Sequence, residues 1–223
     1  MESETIFLLG GNRIGGPGLA FIEEALSFPK PPHLVLYVRT SSNSSPVITK
    51  NINVSLVKGE LTDLDALTSA MKDHFVTTVV SFLGAYVSFS AMLIRRIDTP
   101  IAGLVPTLIR AIEVNRVKRL LALSTSSYWI EDRDVATWTM SMYKALPKLF
   151  AQRVSESSAD LDWTIFRIPH LTDGSADLPV WADYIGPSHK GGLKLSRRSQ
   201  ACWAMREIQA REWVRRSPFL ANS

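Results

Sequence analysis

The sequence predicts an α/β fold in which a doubly wound parallel sheet carries helices on both faces. Three observations lead there: six short apolar runs recur along the chain, helical-period stretches separate them, and the first run breaks into clustered glycines before a helix resumes. Right-handed crossovers between such strands place the helices on both sides of the sheet. A chain of 223 residues with 46% hydrophobic composition suits one such domain with a substantial core. Residues 1–223 are therefore expected to form one domain. Its substrate-side lobe is expected mainly from residues 127–139 and 170–198.

Thr5 to Leu9 reads as a buried strand, and Leu19, Ile22, Ala25 and Leu26 recur afterwards at helical spacing. Between them Gly10, Gly11, Asn12, Arg13, Ile14, Gly15, Gly16 and Gly18 make a loop whose backbone can approach a ligand closely. It feeds a helix N-terminus, where unpaired N–H groups and the helix dipole favour a pyrophosphate. Gly11, Gly15 and Gly18 give G-x-x-x-G-x-x-G rather than G-x-G-x-x-G, so a plain tight turn is the competing reading. His33 to Val38 is a second strand, ending in Arg39-Thr40-Ser41-Ser42. In dinucleotide folds this strand end meets the adenosine ribose, where an acid favours NAD and an arginine accommodates the 2′-phosphate of NADP. No acid stands here; the Arg39 fork suits a phosphate, Ser41 and Ser42 offer hydroxyl donors, Arg13 can reach the same phosphate from the other side and Thr40 is a further cofactor contact, so the pattern favours NADP(H). The competing reading of Arg39 is a solvated strand-end cation.

A serine-rich loop over Thr40 to Pro46 leads to a third strand at Val54 to Val57. Thr62 is placed to cap the helix carrying Leu64, Leu67 and Met71, and Asp63 is either an adenine neighbour or a first-turn acid. Thr77 to Phe82 forms a fourth strand whose end, Leu83-Gly84, either meets the cofactor or only turns the chain. Thr99-Pro100 predicts a helix start, with Leu104, Leu108, Ala111 and Ile112 as its core stripe. Val117 to Leu123 is the fifth strand. It runs into the hydroxyl series Ser124, Thr125, Ser126, Ser127 and Tyr128, which face cofactor and substrate or serve local turn bonds. Trp129 to Thr139 then suggests a substrate-side loop, and Met142, Leu146, Leu149 and Val154 a helix interrupted by Pro147. Trp163 to Ile168 is the sixth strand, followed by Pro169 and His170, the histidine best placed for chemistry or for a structural hydrogen bond. Residues 174–196 lack periodicity and suggest a lid, and a final helix is expected to close the domain.

No segment reaches roughly 18 uninterrupted apolar residues, so no membrane partner is expected. The N-terminus shows no signal-peptide pattern, and a lone cysteine, Cys202, leaves neither an internal disulfide nor a thiolate cluster for metal; a cytoplasmic protein is the expectation. The net charge is +4, and Lys190 to Arg216 holds eight basic residues against Glu207 and Glu212. Trp203, Ile208 and Val214 interleave with them as in an amphipathic helix, so these cations read as a solvated face rather than a nucleic-acid surface.

Taken together, Gly10 to Gly18, Val38-Arg39, Gly59 to Asp63, Ser81 to Gly84, Val117 to Arg119, Ser124 to Ser127, Asp162 to Arg167 and Ser196 to Arg198 resemble the atypical short-chain dehydrogenase/reductase superfamily. The likeness is to its NmrA-like and biliverdin/flavin-reductase-like NAD(P)-binding members, and it spans nearly the whole chain. The resemblance implies a Rossmann fold, an NADP(H) cofactor and a small-molecule substrate. It implies a contact role for Ser126 and a substrate-flanking Pro169-His170 turn. The Tyr-x-x-x-Lys pair of orthodox members is missing: Pro147 stands four residues after Tyr143, leaving Tyr128, Tyr143, His170 or solvent as the proton source. The implied activity is an NADPH-dependent reduction of a conjugated or carbonyl-bearing molecule, possible in natural-product biosynthesis. Alternatives within the resemblance are a non-catalytic dinucleotide sensor and a redox-neutral isomerase, dehydratase or cyclase.

Overall fold

The computed structural model describes residues 4–10, 16–40, 51–83, 104–125, 130, 132–135, 154, 160–186 and 192–223. Six strands, β1 (Thr5–Leu9), β2 (His33–Val38), β3 (Val54–Lys58), β4 (Thr78–Ser81), β5 (Arg119–Thr125) and β6 (Asp162–Ile168), alternate with helical segments. Among the described residues, three helices lie between them: α1 (Pro17–Ser27), α2 (Leu64–Asp73) and α3 (Val105–Val114). Beyond β6 come β7 (His170–Thr172), β8 (Val180–Asp183), β9 (Lys194–Ser196), α4 (Arg197–Ala210) and β10 (Phe219–Asn222).

The main sheet has the order β3-β2-β1-β4-β5-β6-β10-β8. Its first six strands are parallel, with Phe7 of β1 opposite Val35 on one side and Val79 on the other. The chain therefore winds outward from β1 to β3 and returns to start again at β4. That reversal opens a crevice at the carboxyl ends of β1 and β4, the position at which doubly wound sheets bind ligands.

Strand residues alternate between two packed faces, as the period of two requires. Ile6, Leu8, Leu34, Leu36, Val80, Leu121 and Phe166 meet Phe21, Ile22 and Ala25 of α1 and Ala201, Ala204 and Ile208 of α4. On the other face Phe7, Val35, Val79, Leu120 and Ile165 meet Leu67 and Met71 of α2 and Leu108 and Ile112 of α3. Both sides of the parallel sheet are thus dry, which is why its strands read as continuous apolar runs.

Several expectations need correction. Asp63, not Thr62, caps α2: its Oδ1 accepts from Ala66 N at 2.9 Å. A carboxylate there is favoured by the helix dipole as well as by the bond. The last helix does not close the domain. It ends at Ala210, where Arg211 takes a left-handed conformation (φ +55°), so Val214 lies outside it. The chain then continues into β10, parallel to β6, and β8 pairs antiparallel with β10. Residues 174–196, expected to lack regular structure, include two strands: β8 extends the main sheet, and β9 pairs parallel with β7 in a second, two-stranded sheet. Strand β5 ends in Ser124 and Thr125, as the hydroxyl series at its end predicts. Helix α3 is described from Val105, so the expected start at Thr99-Pro100 lies outside the described residues.

A buried ion pair fixes α4 to the sheet. Arg119 Nη2 lies 2.7 Å from Glu207 Oε1, while Nη1 donates to Asp162 O at 2.9 Å and to Thr164 Oγ1 at 2.8 Å. Glu207 also accepts from Trp213 N and Glu212 N, at 3.0 and 3.2 Å. Burial lowers the Arg119 pKa and Glu207 opposes that shift. The bonds to both partners are what make such a burial tolerable.

Candidate functional site

Gly10 ends β1 at the crevice with φ +83°, a conformation that L side chains rarely adopt. A Cβ there would stand 3.0 Å from the carbonyl carbon of Phe82 and 3.1 Å from its oxygen, on the neighbouring strand end. Phe82 N donates to Leu9 O at 2.9 Å, so the two strands stay paired up to the turn. The glycine is therefore required twice, by torsion and by space. Helix α1 then begins at Gly16, which has no side chain to cap the helix; Pro17 follows at the first helical position, and no acidic residue occupies the first turn. An uncapped, acid-free N-terminus at a switch point retains its donors and its positive potential for an anion.

At the end of β2, Arg39 and Thr40 are both exposed. Their base is rigid. Tyr37 is buried and donates from its hydroxyl to Glu60 O at 3.2 Å, and Gly59 N donates to Val38 O at 3.0 Å. A Cβ on Gly59 would fall on the Tyr37 hydroxyl, so a glycine is needed for the two strand ends to close. Burial raises the Tyr37 pKa, and the charges of Asp63 and Glu60 add to the effect. Asp63 lies at this same edge, with one carboxylate oxygen committed to its capping bond.

Across the crevice, Leu83 is half-buried and its N–H donates to Ser81 Oγ at 3.4 Å. Ser124 is half-buried at the end of β5, opposite Arg167 of β6. Gly10, Leu83 and Ser124 thus share the carboxyl edge of three neighbouring strands, with Arg39, Thr40 and Asp63 further along it. His170 takes a different place. It is exposed, and rather than turning, the chain at Pro169-His170 enters β7, where His170 N donates to Leu193 O at 3.3 Å. Gly11, Asn12, Arg13, Ile14, Gly15, Gly84, Ser126, Tyr128 and Tyr143 lie outside the described residues.

Sequence reasoning missed the pair that builds the far side of this edge. Arg167, fully buried, reaches Asp134 with Nη1–Oδ2 at 2.5 Å and Nη2–Oδ1 at 3.0 Å, and its Nε donates to Ser217 O at 2.9 Å. Asp134 accepts in addition from Ile130 N at 2.7 Å and Ile185 N at 2.8 Å. The carboxylate therefore ties the segment after β5 and the end of β8 to β6, and Arg167 adds the approach to β10 through Ser217 O. A charged residue inside an apolar strand was the available signal, because a buried arginine demands a partner. Among the described residues no group of three or more His, Cys, Asp or Glu could hold a metal, and no helix is long and apolar enough to cross a membrane.

The profile of a family described as NAD(P)H-binding matches residues 14–210. No curated protein matches the chain. Solved structures share its fold. A wide-type short-chain dehydrogenase/reductase from Veillonella parvula, in complex with NADP, is 15% identical with a TM-score of 0.72, covering 100% of this chain and 95% of its own. ChuY, an anaerobillin reductase from Escherichia coli, is 18% identical with a TM-score of 0.71, covering 98% and 97%. The oxidoreductase ylbE from Lactococcus lactis is 14% identical with a TM-score of 0.71, covering 98% and 91%. The doubly wound Rossmann-like architecture is thus common to all four chains.

Proposed function

Because the chain belongs to the NAD(P)H-binding family, we propose that it is an NADPH-dependent oxidoreductase acting on a small conjugated or carbonyl-bearing molecule. The observation that supports the cofactor choice is the end of β2, where Arg39 and Thr40 are exposed and the strand runs into an arginine rather than an acid. The Veillonella structure holds NADP in a similar fold, which agrees with this reading. Gly10 and the uncapped start of α1 suit the pyrophosphate, Arg39 the 2′-phosphate, and Leu83 and Ser124 the nicotinamide half. When bound, NADPH supplies the hydride. The protein's part is to orient the ring against the acceptor and exclude water, a contribution of positioning rather than of covalent chemistry.

Ser126, Tyr128, Tyr143 and His170 are the proposed groups for holding the substrate or delivering a proton. Of these, His170 is described, and its exposed ring on β7 suits exchange of a proton with solvent. The substrate-side lobe is assigned to residues 127–139 and 170–198 of the single domain, with a cytoplasmic location and a role in natural-product tailoring as the wider proposal. A sensor that binds dinucleotide without turnover is the second reading, favoured by the missing Tyr-x-x-x-Lys pair.

Calorimetric titration with NADPH and NADH tests the cofactor, and a panel of quinones, flavins and enones tests turnover. Micromolar NADPH affinity, with Arg39→Ala losing about 1.5–3 kcal/mol toward NADPH and little toward NADH, is the expected result. Equal losses for the two cofactors remove Arg39 from the 2′-phosphate. Tight binding with no acceptor reduced transfers the protein to the sensor class.

A further inference from the structure

The ends of β2 and β3 are joined by one hydrogen bond, in which Gly59 N donates to Val38 O at 3.0 Å. That bond links the peptide between Val38 and Arg39 to the peptide between Lys58 and Gly59, so Arg39 and Lys58 flank it on neighbouring chain segments. The register agrees: Val38 stands opposite Lys58, the last residue of β3. Paired strands lie about 4.8 Å apart, which leaves the two backbones close enough for both side chains to reach one small ion. Arg39 and Lys58 are exposed, and among the described residues neither takes part in an ion pair. Two neighbouring cations with no counter-charge repel each other, and an anion placed between them removes that cost.

The side of the sheet that Lys58 takes follows from its strand. Val54 and Leu56 pack in the cluster that holds Phe21 and Ile22 of α1, whereas Val57 packs with Leu67 and Met71 of α2. Alternation along β3 therefore sends Lys58 toward the α1 face. The acids of this edge belong with the other face: Tyr37 is part of the α2 cluster, its hydroxyl donates to Glu60 O at 3.2 Å, and the charges of Asp63 and Glu60 act on it. Lys58 thus shares its face with the helix whose uncapped, acid-free start retains positive potential for an anion.

We propose that Lys58 is the second cation of the 2′-phosphate site, a specificity residue for NADP(H) that acts with Arg39; the inference rests on the cofactor reading above. A phosphate monoester carries a charge of about −1.5 to −2 near neutral pH and offers three acceptor oxygens. A single guanidinium matches two of those oxygens and cancels one charge, which leaves an oxygen and up to about one negative charge unanswered. The Lys58 ammonium, a point charge with three donors on a flexible stem, answers both. Arg39 then supplies the planar recognition and Lys58 the remaining charge, approaching from the α1 face. NAD(H), with a hydroxyl in place of the phosphate, gives neither cation a charge to meet and leaves their repulsion in place.

Calorimetry with NADP+, NAD+ and 2′-phospho-ADP-ribose, which keeps the phosphate but lacks the nicotinamide ring, tests the assignment. Lys58→Gln is expected to weaken NADP+ and 2′-phospho-ADP-ribose by the same factor, roughly tenfold, and to leave NAD+ unchanged. Lys58→Arg, which restores the charge, should keep most of the wild-type preference. The ligand-free Lys58→Gln protein should melt with the wild type, because the lysine is exposed and in no ion pair among the described residues. Lys58→Met is the second uncharged variant, with the same expectations, and replaces Lys58→Gln if that protein does not fold. A Lys58→Gln protein that keeps the wild-type ratio of NADP+ to NAD+ affinity overturns the proposal. So does an equal loss toward NADP+ and NAD+, or a Lys58→Arg protein as weak as Lys58→Gln, since a phosphate-specific charge explains neither. If the wild type shows no preference for NADP+ over NAD+, the cofactor reading fails and this inference with it; loss of the preference in Arg39→Ala but not in Lys58→Gln sinks this inference alone.

Discussion

Gly10 carries two constraints at one atom position, since its φ of +83° excludes ordinary side chains and its missing Cβ faces the Phe82 backbone at 3.0 Å. Because that obstacle is main chain on a neighbouring strand, no rotamer change relieves it. Gly10→Ala is expected to destabilise the fold by about 1–3 kcal/mol in urea unfolding, and to weaken NADPH in calorimetry through the displaced strand end. A variant with unchanged stability and affinity would place the strain elsewhere. His33, at the opposite edge of the same sheet, supplies a pH response. Burial, reinforced by the charge of His74, lowers its pKa, and its Nε2 pairs with Ser55 Oγ at 3.0 Å. The unfolded chain then binds the proton more readily, so stability is full above the ordinary histidine value of 6.5 and is lost as pH falls through that value toward the folded pKa. His33→Gln should flatten that part of the pH–stability profile, and an unaltered slope would remove His33 as its source. Gly10 and Arg39 were legible because glycine clusters and strand-end charges carry local meaning. Lys58 was not: no local pattern marks it, and only the pairing of β3 with β2 sets it beside Arg39.

Helix α4 and strand β10 show how an element's role depends on what it docks against. The helix was legible by its period. Its end was not, because Arg211 turns the chain by taking a left-handed conformation that glycine more often supplies. Strand β10 was hidden for a related reason: Phe219–Asn222 is four residues long, and its pairing with β8 and β6 joins segments far apart in sequence. Arg119 and Glu207 hold this arrangement, joining β5 to α4 across 88 positions. Removing one partner strands the other charge in the dry interior. Glu207→Ala is therefore expected to cost about 3–5 kcal/mol, whereas replacing both with apolar residues, as in Arg119→Met with Glu207→Leu, should recover most of the loss. Urea unfolding of the two singles and the double completes the cycle. Additive losses would show that the two residues do not act as a pair. Asp134 and Arg167 invite the same logic, since one carboxylate joins its own segment, β6 and the end of β8, which no local pattern connects.

At the scale of the whole molecule, the proposed site puts a dinucleotide across the reversal between β1 and β4, where it would engage both halves of the sheet at once. In that reading the adenine side would rest on β2 and β3, closed at their ends by Tyr37 and Gly59, and the other side on β4 to β6. A ligand held in this way binds only the assembled fold, because no single strand end carries a complete site. NADPH should therefore stabilise the protein by mass action, by about 2.7 kcal/mol at a hundredfold excess over its dissociation constant. For a chain of this size that corresponds to a rise in melting temperature of roughly 5–10 °C. NADH at the same concentration should give a much smaller rise, and 2′-phospho-ADP-ribose an intermediate one, since it reaches only the adenine half. The ordering of these three shifts tests the division of the site directly. If 2′-phospho-ADP-ribose equals NADPH, the β4–β6 half contributes nothing to binding, and if NADH equals NADPH, Arg39 does not select the cofactor.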